Sequence, residues 1–188
     1  MLFVKSKNSK KIVLLDRDGI INEDSPNYIK SVDEFIFLPG SIDAIVRLTK
    51  AGYQIGVATN QSGVSRGYYD ERMLAAIHEK MLTQIRAAGG NIEAIEYCPH
   101  RPEEGCLCRK PKPGMLYTLA KRLNCSLTDV PFIADKISDL DAALAAGAKP
   151  VMVVSSWTDK DTMRLSYSHV PVFDSLALCV EGLLADYL

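Results

Sequence analysis

Two aspartates one residue apart, Asp16 and Asp18, follow an apolar run and precede a glycine, and another, Asp135, ends an apolar run far downstream. Thr59 closes a further apolar run, and Lys110 sits within Arg109-Lys110-Pro111. One carboxylate can attack phosphorus, a neighbour can carry a proton, and together such groups can hold a hard cation such as Mg²⁺. Phosphate monoester dianions repel a nucleophile, so their hydrolysis demands accelerations of up to about 10²¹. A hydroxyl and a lysine beside the carboxylates would offset that repulsion. These residue types therefore point to metal-assisted phosphoryl transfer. Gly19 suits the bend that must bring Asp16 and Asp18 to one phosphate.

A second group has a different chemistry. Of five cysteines, Cys98, Cys106 and Cys108 lie close together, with His100 between the first two. A Cys-x-Cys pair does not readily close a disulfide on itself. Three thiolates and one imidazole suit a closed, tetrahedral Zn²⁺ site. The alternative is a loop of packed or exposed thiols, against which stand the Pro, Arg, Glu and Gly residues that make this a poor core segment. Cys125 and Cys179 fall in helical contexts and read as small apolar residues.

The elements that must position these groups alternate between two periodicities. Residues 11–15 form a short β-branched apolar run that would deliver Asp16 from a buried strand. Residues 19–38 are polar and irregular and read as a loop with a small hairpin flap. A helix opens at Pro39-Gly40-Ser41, with Ile42, Ile45, Val46 and Leu48 on one face, and Gly52 stops it. Residues 53–59 read as the second strand. Asp70 is an N-cap candidate for a helix with Met73, Ile77, Met81 and Ile85 at spacing four. Residues 92–97, 130–134 and 151–154 read as further strands, and 115–123, 137–146 and a tail from Ser175 as helices. This alternation predicts βαβ crossovers and a mostly parallel sheet covered on both faces. In such sheets, side chains from distant segments meet at the carboxyl ends of the strands.

Composition sets the outer limits. The chain has 188 residues, 47% hydrophobic and 24% charged, which suits a single domain spanning 1–188. A formal net charge of −1 argues against nucleic acid as a partner. No apolar stretch approaches the roughly 18 residues of a membrane helix, and the first eleven residues lack a signal-peptide core. A cytoplasmic monomer is the expectation.

The ordered set Asp16-Arg17-Asp18-Gly19, Thr59-Asn60-Gln61-Ser62, Arg109-Lys110-Pro111 and Asp135-Lys136 with Asp139 resembles the haloacid dehalogenase superfamily of phosphatases. The resemblance covers residues 11–155 and implies a Rossmann-like, doubly wound α/β fold. It implies that Asp16 forms an aspartyl-phosphate, that Asp18 is the acid and base, and that Thr59 and Lys110 stabilise the phosphoryl group. Mg²⁺ would rest on Asp16, the Asp18 carbonyl and Asp135. Asp139 has two readings: a ligand reaching the metal through water, or an acid favoured by the helix dipole. Ala134 departs from the pattern, since relatives often carry glycine there. The short span between Asp18 and Thr59 leaves no room for a cap domain.

The cysteine cluster beside Arg109-Lys110-Pro111 looks like the subgroup that holds heptose bisphosphate and histidinol-phosphate phosphatases. Zn²⁺ there would stiffen the loop that aims Lys110. Arg66, following Asn60-Gln61-Ser62, is similar to the heptose branch, and Arg109 could grip the second phosphate of a bisphosphate. The resemblance implies sugar contacts from Asp24, Ser25, Pro26 and Asn27, and further substrate contacts from Asn60, Gln61, Ser62, Arg66, Arg109 and Lys136. It implies a small phosphorylated sugar as substrate, within nucleotide-activated heptose (lipopolysaccharide core) biosynthesis. Histidinol phosphate is the alternative substrate. A zinc-stabilised binding protein is the non-enzymatic alternative, but it would have no use for both Asp16 and Asp18.

Overall fold

Ile12 and Leu14 project from one face of strand β1 (Lys11–Leu15) and Val13 and Leu15 from the other, and all four are buried. A strand buried on both faces must lie inside a sheet covered twice. In the computed structural model, which describes residues 10–156 and 158–187, it does. The expectations for residues 1–9 fall outside that range.

The sheet runs β3 (Ala94–Cys98), β2 (Tyr53–Asn60), β1, β4 (Pro131–Ala134), β5 (Lys149–Val153), β6 (Val172–Phe173). Every pairing is parallel. Val13 and Leu15 pack with α1 (Ser41–Lys50), α2 (Glu71–Ala87) and α6 (Leu176–Leu184). Ile12 and Leu14 pack with α3 (Gly114–Leu123) and α4 (Ile137–Ala146). Each fully buried Leu or Ile of these layers contributes about 1.5–3 kcal/mol.

Strand order reverses direction at β1, with β2 on one side and β4 on the other. That is the topological switch point, and Asp16 and Asp135 follow the two strands that flank it. Among the described residues between Asp18 and Thr59, α1 and the body of β2 are the only regular elements, so no cap domain intervenes.

Several expectations need correction. The hairpin flap does not form. Residues 19–38 carry only isolated bridges, Asp18 to Asn22 and Asn22 to Phe37. Phe35 is the anchor of this segment, fully buried and packed edge-on against Phe37. A short helix, α5 (Lys160–Ser166), and the two-residue strand β6 were not foreseen. Cys125 lies just past the α3 C-cap at Asn124, outside any helix, whereas Cys179 is buried within α6.

Candidate active site

The centre is built from strand ends. Asp16 leaves β1 with its backbone N–H donating to Ile133 O of β4 at 2.9 Å, so the strand ladder continues through the residue. Asp135 leaves β4, and Asp139 lies in the first turn of α4. All three are buried, and one carboxylate oxygen from each lies within 4.8 Å of the others. Gly19, at φ +83°, passes beneath this cluster, and a Cβ there would come within 2.3 Å of Asp135 Oδ2. Only glycine permits that approach.

Lys110 is the cation set among them. It is 3% exposed, with Nζ 2.8 Å from Asp16 Oδ1 and 2.7 Å from Asp139 Oδ1, and it donates to Ala58 O at 2.8 Å. Burial alone would lower its pKa, but the charges of Asp139 and Asp16 raise it, so the ammonium stays charged. Its backbone is clamped by Asn60: the Lys110 N–H donates to Asn60 Oδ1, and Asn60 Nδ2 donates to Lys110 O, both at 3.2 Å.

Lys110 and the neighbouring Lys136, itself paired with Asp24, do not balance three buried carboxylates. Burial and the Asp16 charge push Asp135 up to about 7, and burial, opposed by Lys110, leaves Asp139 raised to about 6. Asp135 Oδ1 and Asp139 Oδ2 are buried with no hydrogen-bond partner among the described residues. Ser155 Oγ donates to Asp135 Oδ2 at 2.8 Å and Thr158 Oγ1 to its carbonyl at 2.9 Å, which orients the carboxylate. Hard, unpartnered oxygens under mutual repulsion fit a small divalent cation. Of the two readings of Asp139, this placement puts its carboxylate directly in the cluster.

Asp18 is held differently. Its oxygens accept from Arg17 Nη2 (2.8 Å), Asn22 Nδ2 (2.8 Å) and Gln61 Nε2 (2.7 Å). Burial works against its charge, but the Arg17 guanidinium and these hydrogen bonds outweigh it and hold the carboxyl below the usual carboxylate range. Arg17 is completely buried. Thr59, at the end of β2, is buried and accepts from Gln61 Nε2 at 2.9 Å.

A cavity of about 320 Å³ opens beside Asp18, lined by Asp24, Ser25, Pro26, Asn60, Gln61, Ser62, Arg109 and Lys136 among others. Most of the residues expected to contact substrate are thus brought together. Lys136 Nζ pairs with Asp24 Oδ2 at 2.7 Å across the cavity. Arg109 Nη1 donates to His100 O at 3.1 Å, which ties this wall to the cysteine loop. Arg66 and Asn27 are exposed and do not line the cavity.

Cys98, at the end of β3, converges with His100, Cys106 and Cys108 of that loop. Cys108 Sγ lies 3.2 Å from Cys98 Sγ, 3.4 Å from Cys106 Sγ and 3.3 Å from His100 Nδ1, and Cys98 Sγ lies 3.6 Å from Cys106 Sγ. The edges of a tetrahedron around Zn²⁺ with Zn–S of about 2.3 Å are roughly 3.5–3.8 Å. The four donors therefore fit a closed tetrahedral metal site. Gly114 allows the loop to lie against α3: a Cβ there would sit 2.3 Å from Leu107 O.

Sequence reasoning missed Arg17, Asn22 and Ser155. Ser155 follows β5, so the strand-end rule that found Asp16 and Asp135 could have found it. A buried arginine between two aspartates gives no periodic signal.

Residues 107–179 match the family model described as HAD-hydrolase-like. D-glycero-beta-D-manno-heptose-1,7-bisphosphate 7-phosphatase of Pseudomonas putida is 45% identical over 174 residues, covering 93% of this chain and 99% of the relative. A crystal structure of D,D-heptose 1,7-bisphosphate phosphatase from B. bronchiseptica, complexed with magnesium and phosphate, superposes with TM-score 0.89 at 44% identity, covering 94% of this chain and 99% of that one. The corresponding enzyme from Burkholderia thailandensis gives TM-score 0.68 at 36% identity, over 94% and 99% of the two chains. Fold, site and likeness together define a phosphoric monoester hydrolase. The chain belongs to the haloacid-dehalogenase-like family of these heptose bisphosphate phosphatases.

Proposed function

We propose that the chain removes the C7 phosphate of D-glycero-β-D-manno-heptose 1,7-bisphosphate through an aspartyl-phosphate on Asp16. The observation that carries this reading is the buried group of Asp16, Asp135, Asp139 and Lys110 at the switch point, opening beside a cavity walled by Arg109 and Lys136. The relatives' names supply the sugar and its anomer.

In the first step an Asp16 carboxylate oxygen bonds to phosphorus and the bond from phosphorus to the C7 oxygen breaks. Asp18 gives its proton to the departing oxygen. In the second step Asp18 takes a proton from water, whose oxygen bonds to phosphorus while the bond to Asp16 breaks, releasing phosphate and restoring the Asp16 carboxylate and the protonated Asp18. The donors around Asp18 favour the charged form that the second step uses. A phosphate dianion arriving beside it raises its proton affinity for the first. Lys110 and the Thr59 hydroxyl face the phosphoryl oxygens and cost no reorganisation when charge builds there.

Mg²⁺ would be held by Asp16, the Asp18 carbonyl and Asp135, with Asp139 beside them, and would neutralise phosphoryl charge. Zn²⁺ would be held by Cys98, His100, Cys106 and Cys108, where four protein ligands leave no open position. Its part is structural, fixing the loop that presents Arg109 and Lys110. Arg109 lines the cavity, and its guanidinium would fork onto the C1 phosphate.

Phosphate release measured on the β and α anomers of the heptose bisphosphate and on histidinol phosphate tests the assignment. The β anomer is expected to have the highest kcat/KM. Preference for histidinol phosphate would overturn the sugar assignment, and no release from any of them would overturn the activity.

A further inference from the structure

Asp18 rests on an inner layer of side chains that the proposed chemistry does not use. Gln61 reaches it with Nε2, and the same amide nitrogen serves Thr59 Oγ1 at 2.9 Å. The opposite end of that amide is fixed, because the Tyr69 hydroxyl donates to Gln61 Oε1 at 2.6 Å. An amide can present either end to Asp18, and only the N–H end is attractive to a carboxylate. The Tyr69 ring is itself held against Gly63, where a Cβ would fall 2.3 Å from its Cε1.

A second support arrives through Arg17. Its Nε and Nη2 engage Asp18, while Nη1 lies 3.2 Å from His78 Nε2. An arginine only donates, so His78 must accept at Nε2 and carry its proton on Nδ1. Burial, then the Arg17 charge, pushes His78 down to about 3, which keeps it in this neutral form. Tyr69 and His78 are each 8% exposed, and neither lines the cavity beside Asp18.

We propose that Tyr69 and His78 are positioning residues for the proton-transferring carboxylate, Tyr69 acting through Gln61 and His78 through Arg17. The inference rests on the reading of Asp18 as acid and base. Removing the Tyr69 hydroxyl frees the Gln61 amide to rotate, which would turn an acceptor toward Asp18, whereas the Thr59 hydroxyl, able to donate or accept, keeps a partner in either orientation. Removing the His78 acceptor leaves a buried guanidinium N–H unpaired and frees Arg17 to shift away from Asp18.

The test uses the Mg²⁺- and Zn²⁺-loaded full chain in single-turnover rapid quench. In Tyr69→Phe, phospho-enzyme formation from the heptose bisphosphate should slow about tenfold. Formation from 4-nitrophenyl phosphate, whose phenolate leaves without a proton, should change less than twofold, and KM should hold. His78→Gln, which keeps an acceptor, should retain the rate that His78→Leu loses. Equal losses of Tyr69→Phe on both substrates, no loss on either, or a His78→Gln protein as slow as His78→Leu would overturn the proposal. If the native protein turns over neither compound, the hydrolase reading fails instead. The brace is then read from the Gln61 side-chain amide in a nitrogen–proton correlation spectrum. A shift in Tyr69→Phe supports it, and an unchanged resonance overturns it.

Discussion

The carboxylate centre and the cysteine cluster each draw four side chains together, yet they are held in opposite ways. Asp16, Asp135 and Asp139 come from β1, β4 and α4, so the whole fold must form before they meet. Their charges repel, and Lys110 offsets only part of that. Cys98 ends β3, and His100, Cys106 and Cys108 follow within ten residues in the loop after it, where separations of 3.2–3.6 Å already suit a metal. One cluster is imposed by the sheet against its own electrostatics; the other starts from one strand end and organises the loop that follows it. An exchangeable cation suits the first and a permanent one the second.

Breaking the carboxylate centre should have the largest effect. Asp16→Asn should abolish phosphate release, since an amide cannot form the acyl-phosphate, while the fold persists. Rapid-quench labelling of the native protein should place phosphate on Asp16, and a label on any other residue would end the mechanism.

Breaking the cysteine cluster should cost stability and activity together. Cys108→Ser should lower Tm by more than about 10 °C, because a structural zinc site contributes folding free energy outright. Brief EDTA treatment should sharpen the contrast. Activity should vanish and return with added Mg²⁺, while elemental analysis still finds about one zinc per chain. Zinc absent from freshly purified protein would remove the metal assignment.

Between the two clusters sits Arg109, tied to the loop through His100 O and facing the cavity. Arg109→Ala should lower kcat/KM for the bisphosphate by about 1.5–3 kcal/mol, the worth of a hydrogen bond to a charged group. A monophosphate should lose much less. Arg66→Ala, exposed and away from the cavity, should change either substrate less than Arg109→Ala does. Equal losses on both substrates would mean that Arg109 supports the loop and not the second phosphate.

The smallest effect should appear only in acid. His78 has its folded pKa depressed to about 3 from 6.5, so the stability it contributes is present above 6.5 and is lost as pH falls toward 3. At pH 5 the loss amounts to about 2 kcal/mol. His78→Gln should lack that portion of the acid sensitivity, as chemical denaturation at pH 7.5 and 5 would show. Identical slopes for the two proteins would disprove the buried neutral imidazole.

Much of this was legible in the sequence because local chemistry and global fold agree there. Residues 137–146 read as a helix and form α4, and Asp70 caps α2 through Met73 N at 2.8 Å. The strand-end motifs landed at one crevice. What escaped notice lacked a local signature. β6 is too short for alternation, and its pairing is supplied by β5. Residues 19–38 showed the alternation of a hairpin, yet burial of Phe35 and the Arg17 carbonyl, which accepts from Ile20, Ile21 and Asn22, fold them into an irregular loop. Asn60 read as a substrate contact but also clamps the Lys110 backbone, a pairing across fifty residues that no motif reveals.

The hydrogen bond from Asp16 N to Ile133 O has one more implication. It makes the gap between the nucleophile's strand and that of Asp135 a lattice constant of the sheet, roughly 4.8 Å as for any hydrogen-bonded strand pair. Loop substitutions can change what enters the cavity without touching that spacing, and only rebuilding the sheet can alter it. Selection for a new substrate and selection for a working nucleophile therefore act on separable sets of residues.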